Sequence, residues 1–598
     1  MPLEMDREKT KTKTRWNLLT TDANIKLMSQ VLGIKEITAT VMANRGLRSK
    51  NTALAYLQAQ MNQNNQNNSN NQMSVLDSQL GMKDAKKAFD RIIKGIRQRE
   101  RIMIYGDYDA DGVMSTVILY KALKACGADV YFYIPHREEE GYGLNIEAIR
   151  AIKEEEHDLL ITCDNGISDL AEIAEAQNLG LDVIVIDHHE PGFVEGPETE
   201  TGPKIKKQDV IPQAYAVIDP KQAACPYPFK EMCAAGLSFR LMESLYQYIG
   251  RDFSHLYNEL LALAAFATIC DIVDLVGENR AIVKHGLMVL NANKNLNGGL
   301  NQLITLRGYA EKPIDSFTVG FILGPCINAT GRLESAEMSV QLLLSNNPVE
   351  QKKLAKTLIS LNEERKDLTT SCVDRALKKI EETNDKVIVL VDKETHESIA
   401  GIVAGKIKET VHHPTIVLTR GTDTGVLKGS GRSIESYNMF EALYAHRGLF
   451  IRFGGHAMAA GMTLKEENME ELKMALNKDC TLQDVDFQDI IHIDKELTPE
   501  DITLDLAKEL EWLAPFGKGN RSPLFLTRNL KITALRIIDE KNTIIFGFGN
   551  LKGIAFGLND VFSGQAGDTI DLVHTVEANT FNGRTNVQIR VKDFRKAK

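Results

Sequence analysis

The 598-residue sequence has no apolar run long enough to cross a bilayer, and its opening stretch, MPLEMDREKTKTKTRW, has no apolar region of the signal-peptide kind. Both absences make the cytoplasm the expected compartment, with no membrane partner. Cysteine occurs eight times but never in C-x-x-C spacing, which argues for reduced thiols and against a zinc ribbon or a disulfide framework. An excess of positive charge is missing as well. Net charge is −10, so a nucleic-acid partner must be met by local basic patches or bound cations, because the field of the whole molecule would repel it. No repeat of fixed period is present, which sets solenoids and propellers aside.

What is present suffices for several domains: apolar residues make up 43% of the chain, enough for three or four cores. Residues 1–75 read as a helical region, with short helices over 16–57, that also holds the tract NQNNQNNSNNQ at Asn62–Gln72. With nothing to bury, that tract is expected to be a disordered surface loop. Over 76–349 the apolar runs RIMIYG, VYFYI, LLITC, VIVI and YAVID alternate with helical patterns such as GVMSTVILYKALKAC, and helices dominate from Ala234. This alternation predicts an α/β domain built on a mostly parallel sheet with helices on both faces. Apolar positions Leu354, Leu358, Leu361, Leu368, Cys372, Ala376 and Ile380 predict a long connecting helix over 350–385. KVIVLVD and PTIVLT open a second, smaller α/β unit over 386–475. Five strands with little helix over 476–598, the last two turned at Asn582-Gly583, suit an OB-like β-barrel.

The chemistry collects where strands end. In IMIYGDYDADGVMS, Asp107, Asp109 and Asp111 alternate between a strand and a helix. Acids this close repel one another and cost stability unless a cation sits among them. A calcium EF-hand is a poor fit, because a strand precedes the loop and Ile118 stands where the twelfth-position glutamate belongs. LLITCDNGIS leaves Asp164 at a second strand end, and IVIDHHEPG leaves Asp187, His188 and His189 at a third. Asp271 follows an apolar helical stretch in LAAFATICDIVDL. Ligands of open α/β sheets gather at the carboxyl ends of the strands, so these groups can converge on one crevice. Carboxylates mixed with imidazole suit Mn2+ or Mg2+, and six or seven ligands are enough for two divalent cations.

In order along the chain, GDYDADG, CDNGIS, IDHHEP, ATICDIVDL, GRLESAEMS, SGRSIESYNMFEAL, FGGHAMAAG and LAPFGKGN resemble the motifs of the DHH phosphoesterase superfamily, in particular its bacterial single-strand-specific exonucleases. The resemblance covers nearly everything from about residue 76. It implies a DHH catalytic domain, a DHH-associated domain and an OB-like domain. It also implies that Asp107, Asp109 and Asp164 hold one metal while Asp111, Asp164, His188 and Asp271 hold the other. Asp164 would bridge, and His189 would face the substrate phosphate; Asp109, Asp164, His188 and His189 form the expected catalytic set. The chain departs from the family pattern at Asp274 and Arg521, where proline is usual, and in its Asn-rich tract. Neither substitution removes an expected ligand.

Further phosphate donors are Arg137 in PHREEEGYGL, Asn328 and Arg332 in INATGRLESAE, Ser430 and Arg432 in KGSGRSIE, and Gly454, Gly455 and His456 in FGGHAMAAG, expected at a helix start. By resemblance, Arg332, Ser430 and Arg432 recognise a 5′ phosphate and His456 a phosphate near the scissile bond. His396, in ETHESIAGIVAGKI, contacts substrate or packs, while Phe516 and Lys518 belong to a joint between barrel and body. The expected activity is metal-dependent 5′→3′ exonuclease action on single-stranded DNA in repair and recombination, releasing 5′-mononucleotides. A monomer is expected, with a single-strand-binding protein or a helicase as a further partner. One alternative is a DHH phosphodiesterase of short oligonucleotides or cyclic dinucleotides, against which the barrel argues. The other is a non-catalytic DNA-binding replication scaffold, against which the intact Asp109, Asp164, His188 and Asp271 argue.

Overall fold

The computed structural model describes residues 14–59, 81–195, 207–380, 384–421, 423–581 and 583–597; the Asn-rich tract and Asn582 lie outside them. Two compact units are present, the first comprising Gln58–Glu364 with Pro515–Arg521 and the second Met1–Leu57, Arg365–Ala514 and Ser522–Lys598. The 33-residue helix Pro348–Ile380 runs from the first into the second, opening on a proline whose missing N–H costs nothing there. Among the described residues no helix is long and apolar enough to cross a membrane.

The first unit is built on a five-stranded sheet, in the order Asp129–Tyr133, Arg101–Tyr105, Leu159–Cys163, Asp182–Ile186, Ala216–Ile218, every neighbour parallel. Strands covered on both faces must be apolar throughout, and all five residues of LLITC are buried. Chain order reverses between Arg101–Tyr105 and Leu159–Cys163. At such a reversal the two outgoing connections leave on opposite faces of the sheet, and a crevice opens at the carboxyl ends of those strands. Helix Ala110–Ala125 is apolar nearly all round because it is enclosed: Val113, Met114, Val117, Ile118 and Leu119 are fully buried. Helices Ala234–Tyr248 and Ser254–Cys270 pack on it and carry Phe239 and Phe266 into the same core. Truncating either buried phenylalanine to alanine costs about 3–5 kcal/mol. LAPFGKGN is anchored on this unit: Leu275 N–H donates to the Lys518 carbonyl at 2.8 Å and Ser316 Oγ to that of Phe516 at 2.6 Å.

The second unit holds a five-stranded sheet in the order Phe450–His456, Ala459–Lys465, Val426–Arg432, Thr415–Arg420, Ile388–Val391, parallel only between the last two. Helix Met469–Asp479 sends Leu472 and Leu476 into its core, together with Cys480, Leu482 and Phe487. The expected boundary at residue 475 therefore falls inside a helix whose buried face belongs to this sheet. The expected helix start at Gly454–His456 is a correction. These residues end strand Phe450–His456, and Ala457-Met458 turn directly into the antiparallel strand Ala459–Lys465. A run of small residues reads as a helix-opening loop, but Gly455, at φ 146, has no room for a side chain: a Cβ would fall 2.3 Å from the Ala459 carbonyl.

The C-terminal sheet has seven strand segments where five strands were expected. LFLTRNLKITALRII is one bent strand: Phe525–Lys531 pairs with Thr569–Phe581, and Ala534–Ile538 pairs with Thr543–Phe548. Because the two halves join opposite ends of the sheet, the bend at Ile532-Thr533 closes it into a barrel. The last two strands pair antiparallel with Phe581 opposite Arg584. Residues 16–57 are not helical throughout. Helices begin at Ile25, and Arg15–Leu18 is a strand that pairs in parallel with Ile490–Ile493, where Trp16 Nε1 donates to Asp593 Oδ2 at 2.7 Å.

Candidate metal centre

Three strand ends and one helix end of the first unit supply the acids. Asp107 follows strand Arg101–Tyr105 with only Gly106 between them. Asp109 caps helix Ala110–Ala125, its Oδ1 accepting the N–H groups of Asp111 at 2.8 Å and Gly112 at 3.2 Å. Asp111 accepts N–H bonds from Ala234 and Ala235, at 2.7 and 2.8 Å, where the positive end of helix Ala234–Tyr248 favours its charge. The motif glycines are steric necessities: a Cβ at Gly112 would lie 2.5 Å from the Asp107 backbone, and one at Gly331 only 2.2 Å from the Tyr108 carbonyl. Asp164 is left-handed at φ 66, which Asp tolerates better than most residues. Ile272, directly after Asp271, is left-handed at φ 57, and for a β-branched residue this stores on the order of 1–3 kcal/mol of strain.

These elements bring the groups together. His188 Nε2 lies 3.1 Å from Asp164 Oδ1, 3.7 Å from Asp111 Oδ2 and 3.9 Å from Asp271 Oδ2. Among the described residues, three sets offer ligand atoms within 4.8 Å of one another: Asp107, Asp109, Asp164; Asp111, His188, Asp271; and Asp164, His188, His189. The first two coincide with the expected ligand groups except that Asp164 joins the second through His188; the third places His189 within ligand distance too. Asp187 is in none of them. Its Oδ2 accepts the Ile167 N–H at 2.9 Å, and its Oδ1 accepts the N–H of His188 and lies 2.7 Å from His189 Nδ1. The first acid of IDHHEP thus fixes the turn and orients the second imidazole.

The centre is electrostatically unfinished on its own side chains. Burial, reinforced by neighbouring acids, holds the carboxyls of Asp107, Asp164, Asp111 and Asp271 above the ordinary range. At these separations each like-charge pair costs on the order of 3–4 kcal/mol at an effective dielectric of 20. His188 gives no relief, since burial and the charge of His189 keep its imidazole neutral. Asp107 Oδ1 and Asp271 Oδ2 are buried without a hydrogen-bond partner. Oxygen-rich, crowded and with two orphaned acceptors, the donor set fits divalent cations of the Mn2+ or Mg2+ type. His189 differs: burial opposes its charge, but the hydrogen bond and charge of Asp187 raise it to about 9 while its ring stays half-exposed.

Around the centre, the Arg137 guanidinium lies over the Tyr108 ring at 4.9 Å, and its charge acts on Asp107. Arg332, in the last turn of helix Gly324–Leu333, acts on the Tyr108 phenol. Asn328 is brought to the site as a brace, its Oδ1 accepting the Ala110 N–H at 2.7 Å. Residues missed from the sequence are Tyr108, Tyr142 and Lys221. The Tyr142 hydroxyl donates to the Asp164 carbonyl at 3.0 Å and sits 3.3 Å from His189 Nδ1, while Lys221, paired with Glu190 at 3.2 Å, acts on His188 and Asp271. Tyr142 was legible in principle, lying within the quoted PHREEEGYGL, but Lys221 had no motif to mark it.

The second unit holds the remaining expected residues. Ser430 and Arg432 alternate on strand Val426–Arg432, with Arg432 Nη1 donating to Ser430 Oγ at 2.8 Å. Both lie under helix Glu397–Val411, where a Cβ on Gly401 would meet Arg432 Nη2 at 2.7 Å. His396 stands at that helix's start, its Nδ1 2.7 Å from Ser398 Oγ, beside Glu397, which pairs with Lys428 further down the strand. Arg432, Ala459 and His456 are in register across three strands, as are Ser430, Gly461 and Gly454. Residues opposite one another share a face, so Arg432 and His456 stand roughly 10 Å apart across a floor of Ala459, Gly461 and Gly454. Nothing lies within 4 Å of a Cβ at Gly454 or Gly461, so internal packing does not demand glycine at either.

Family models match three segments: the DHH family N-terminal domain over residues 101–268, the DHHA1 domain over 384–481 and the RecJ OB domain over 493–593. The single-stranded-DNA-specific exonuclease RecJ of Bacillus subtilis is 37% identical over 592 residues, 97% of this chain and 71% of that protein. The crystal structure of RecJ in complex with Mn2+ from Thermus thermophilus superposes with a TM-score of 0.79 at 28% identity, covering 98% of this chain and 80% of that one. The Mg2+ complex from the same organism gives 0.75 at 27% identity, covering 98% and 79%.

Proposed function

This chain belongs to the RecJ family, and on that premise we propose that it hydrolyses single-stranded DNA from the 5′ end, releasing 5′-mononucleotides. The observation that carries the proposal is the ligand set at the sheet's reversal point, where Asp164 and His188 are shared between groups and two carboxylate oxygens have no hydrogen-bond partner. Asp107, Asp109 and Asp164 would hold one divalent cation, and Asp111, Asp164, His188 and Asp271 a second. Such ions, when bound, supply an acidified water and offset the charge that develops on a phosphodiester under attack.

The chain's own groups do the rest. Asp187 favours the protonated form of His189, and an imidazolium there can hold a phosphate oxygen or give its proton to the leaving oxygen. Arg137 and Arg332 lie beside the centre and suit the non-bridging phosphate oxygens. In the second unit Ser430 and Arg432 are assigned to the 5′ phosphate. His456 and Gly455 border the small-residue floor, which leaves room for a sugar-phosphate chain, and His396 is assigned to substrate contact at the helix start. The barrel supplies a further groove for the single strand. A monomer in the cytoplasm completes the reading, with a single-strand-binding protein or a helicase as partner in repair and recombination.

The test is incubation with Mn2+ and oligonucleotides labelled at either end, single- and double-stranded, DNA and RNA. Immediate release of a 5′-labelled mononucleotide from single-stranded DNA is expected. Release from the 3′ end first, indifference to strandedness, or turnover confined to cyclic or very short substrates would overturn it.

A further inference from the structure

One exposed feature of the first unit has no part in the metal centre, in the core or in any motif discussed above. Phe317 and Phe321 are 57% and 68% exposed, yet their rings stack on each other, with centroids 4.9 Å apart and planes inclined by 24°. Phe317 caps and Phe321 lies within a single π-helical turn, Thr318–Leu323, that continues into helix Gly324–Leu333. Turns of this kind recur at functional sites. The same run leads straight to the centre: a Cβ on Gly324 would lie 2.4 Å from Cys270 Sγ, next to the ligand Asp271, and one turn on Asn328 braces the Asp109 loop. At its other end Ser316 Oγ donates to the Phe516 carbonyl, in the segment that carries Lys518. Lys518 is 60% exposed and pairs with the surface acid Asp274 at 3.7 Å, a weak contact that a phosphate can displace.

Two stacked aromatic faces open to solvent, on a run tied to the segment that carries an exposed lysine and continuous with a phosphodiesterase centre, match what single-stranded nucleic acid uses. The geometry points to the Phe317–Phe321 pair as a stacking platform for bases of the strand whose end is held at the metal centre, with Lys518 on its backbone. This rests on the exonuclease reading above. Phe317 is eleven residues from Asn328, about 16 Å along a helix. At about 3.4 Å per stacked nucleotide a dinucleotide cannot span that, whereas a longer strand can.

The experiment compares Phe317→Ala/Phe321→Ala with the wild type on a 5′-phosphorylated dinucleotide and on a long oligodeoxythymidylate, both with Mn2+. The expected result is a rise of about ten-fold or more in KM for the long strand, with kcat and dinucleotide turnover within about two-fold of wild type. Phe317→Tyr/Phe321→Tyr should restore the long-strand KM and Phe317→Leu/Phe321→Leu should not, because stacking needs a π face and apolar protein docking does not. An unchanged long-strand KM in the alanine variant overturns the platform, as does equal loss on both substrates or full rescue by leucine. Leucine rescue would reassign the patch to a protein partner. Failure of the wild type to degrade the long strand would count against the exonuclease reading itself, so the two failures are distinguishable.

Discussion

The crevice of the parallel sheet and the open sheet end of the second unit both suit an anionic chain, yet they are built in opposite ways. In the crevice, Asp107, Asp111 and Asp164 are buried beside a half-buried Asp271, two carboxylate oxygens have no hydrogen-bond partner, and the backbone is left-handed at Asp164 and Ile272. At the sheet end, a guanidinium and an imidazole flank Gly454 and Gly461, where a Cβ would meet nothing within 4 Å. The first arrangement spends folding energy to fix oxygen ligands before a cation arrives. The second spends almost none, because partly hydrated side chains beside open glycines need space more than rigidity.

The largest expected effect tests the buried side. Asp164→Asn keeps a residue that tolerates positive φ but removes a charge shared by the ligand groups. Hydrolysis of single-stranded DNA should fall a thousand-fold or more, about 4 kcal/mol. In chelator the same variant should melt no lower than wild type, since a repulsion has been removed. Activity within ten-fold of wild type would break the contrast at its root. Cation removal comes next. With Mn2+ at about one hundred times its Kd the first unit gains about 2.7 kcal/mol, so chelation should lower hydrogen-exchange protection over residues 107–125 while residues 426–465 stay unchanged. Equal loss in both stretches would mean that the two regions are not independent.

On the open side, Arg432→Ala should raise KM for 5′-phosphorylated ends about ten-fold, about 1.4 kcal/mol, and leave Mn2+ affinity alone. Parallel loss of metal binding, read by titration calorimetry, would contradict the division of labour. The smallest and sharpest change is Gly461→Val. The added Cβ meets nothing within 4 Å and a β-branched residue suits a strand, so the melting temperature should hold or rise. KM for single strands should nevertheless rise about five-fold. An unchanged KM would show that the floor is not occupied by substrate.

How far each region could be read in advance follows from how local its causes are. Asp107, Asp164 and His188 end apolar runs, so their strand ends were visible in a few consecutive residues. That they meet depends on the reversal of strand order, which no local pattern records. Asp187 and Asn328 stand out for their chemistry, but the backbone N–H groups they accept, those of Ile167 and Ala110, are not specified by residue type. At Gly454–His456 the sequence offered only small residues, which loops and close-packed hairpins share, and the hairpin won because Gly455 accepts φ 146. The barrel's bent strand escaped notice for a similar reason: a strand that changes partners midway keeps one uninterrupted apolar pattern.

Strand Arg15–Leu18 pairs with Ile490–Ile493, so a strand made early in translation finds its mate some 475 residues later. At roughly 5–20 residues per second that wait is about half a minute to a minute and a half. All but a seven-residue clip of the catalytic unit has by then been synthesised, while the flanking unit must hold an unpaired edge in reserve until translation is nearly done.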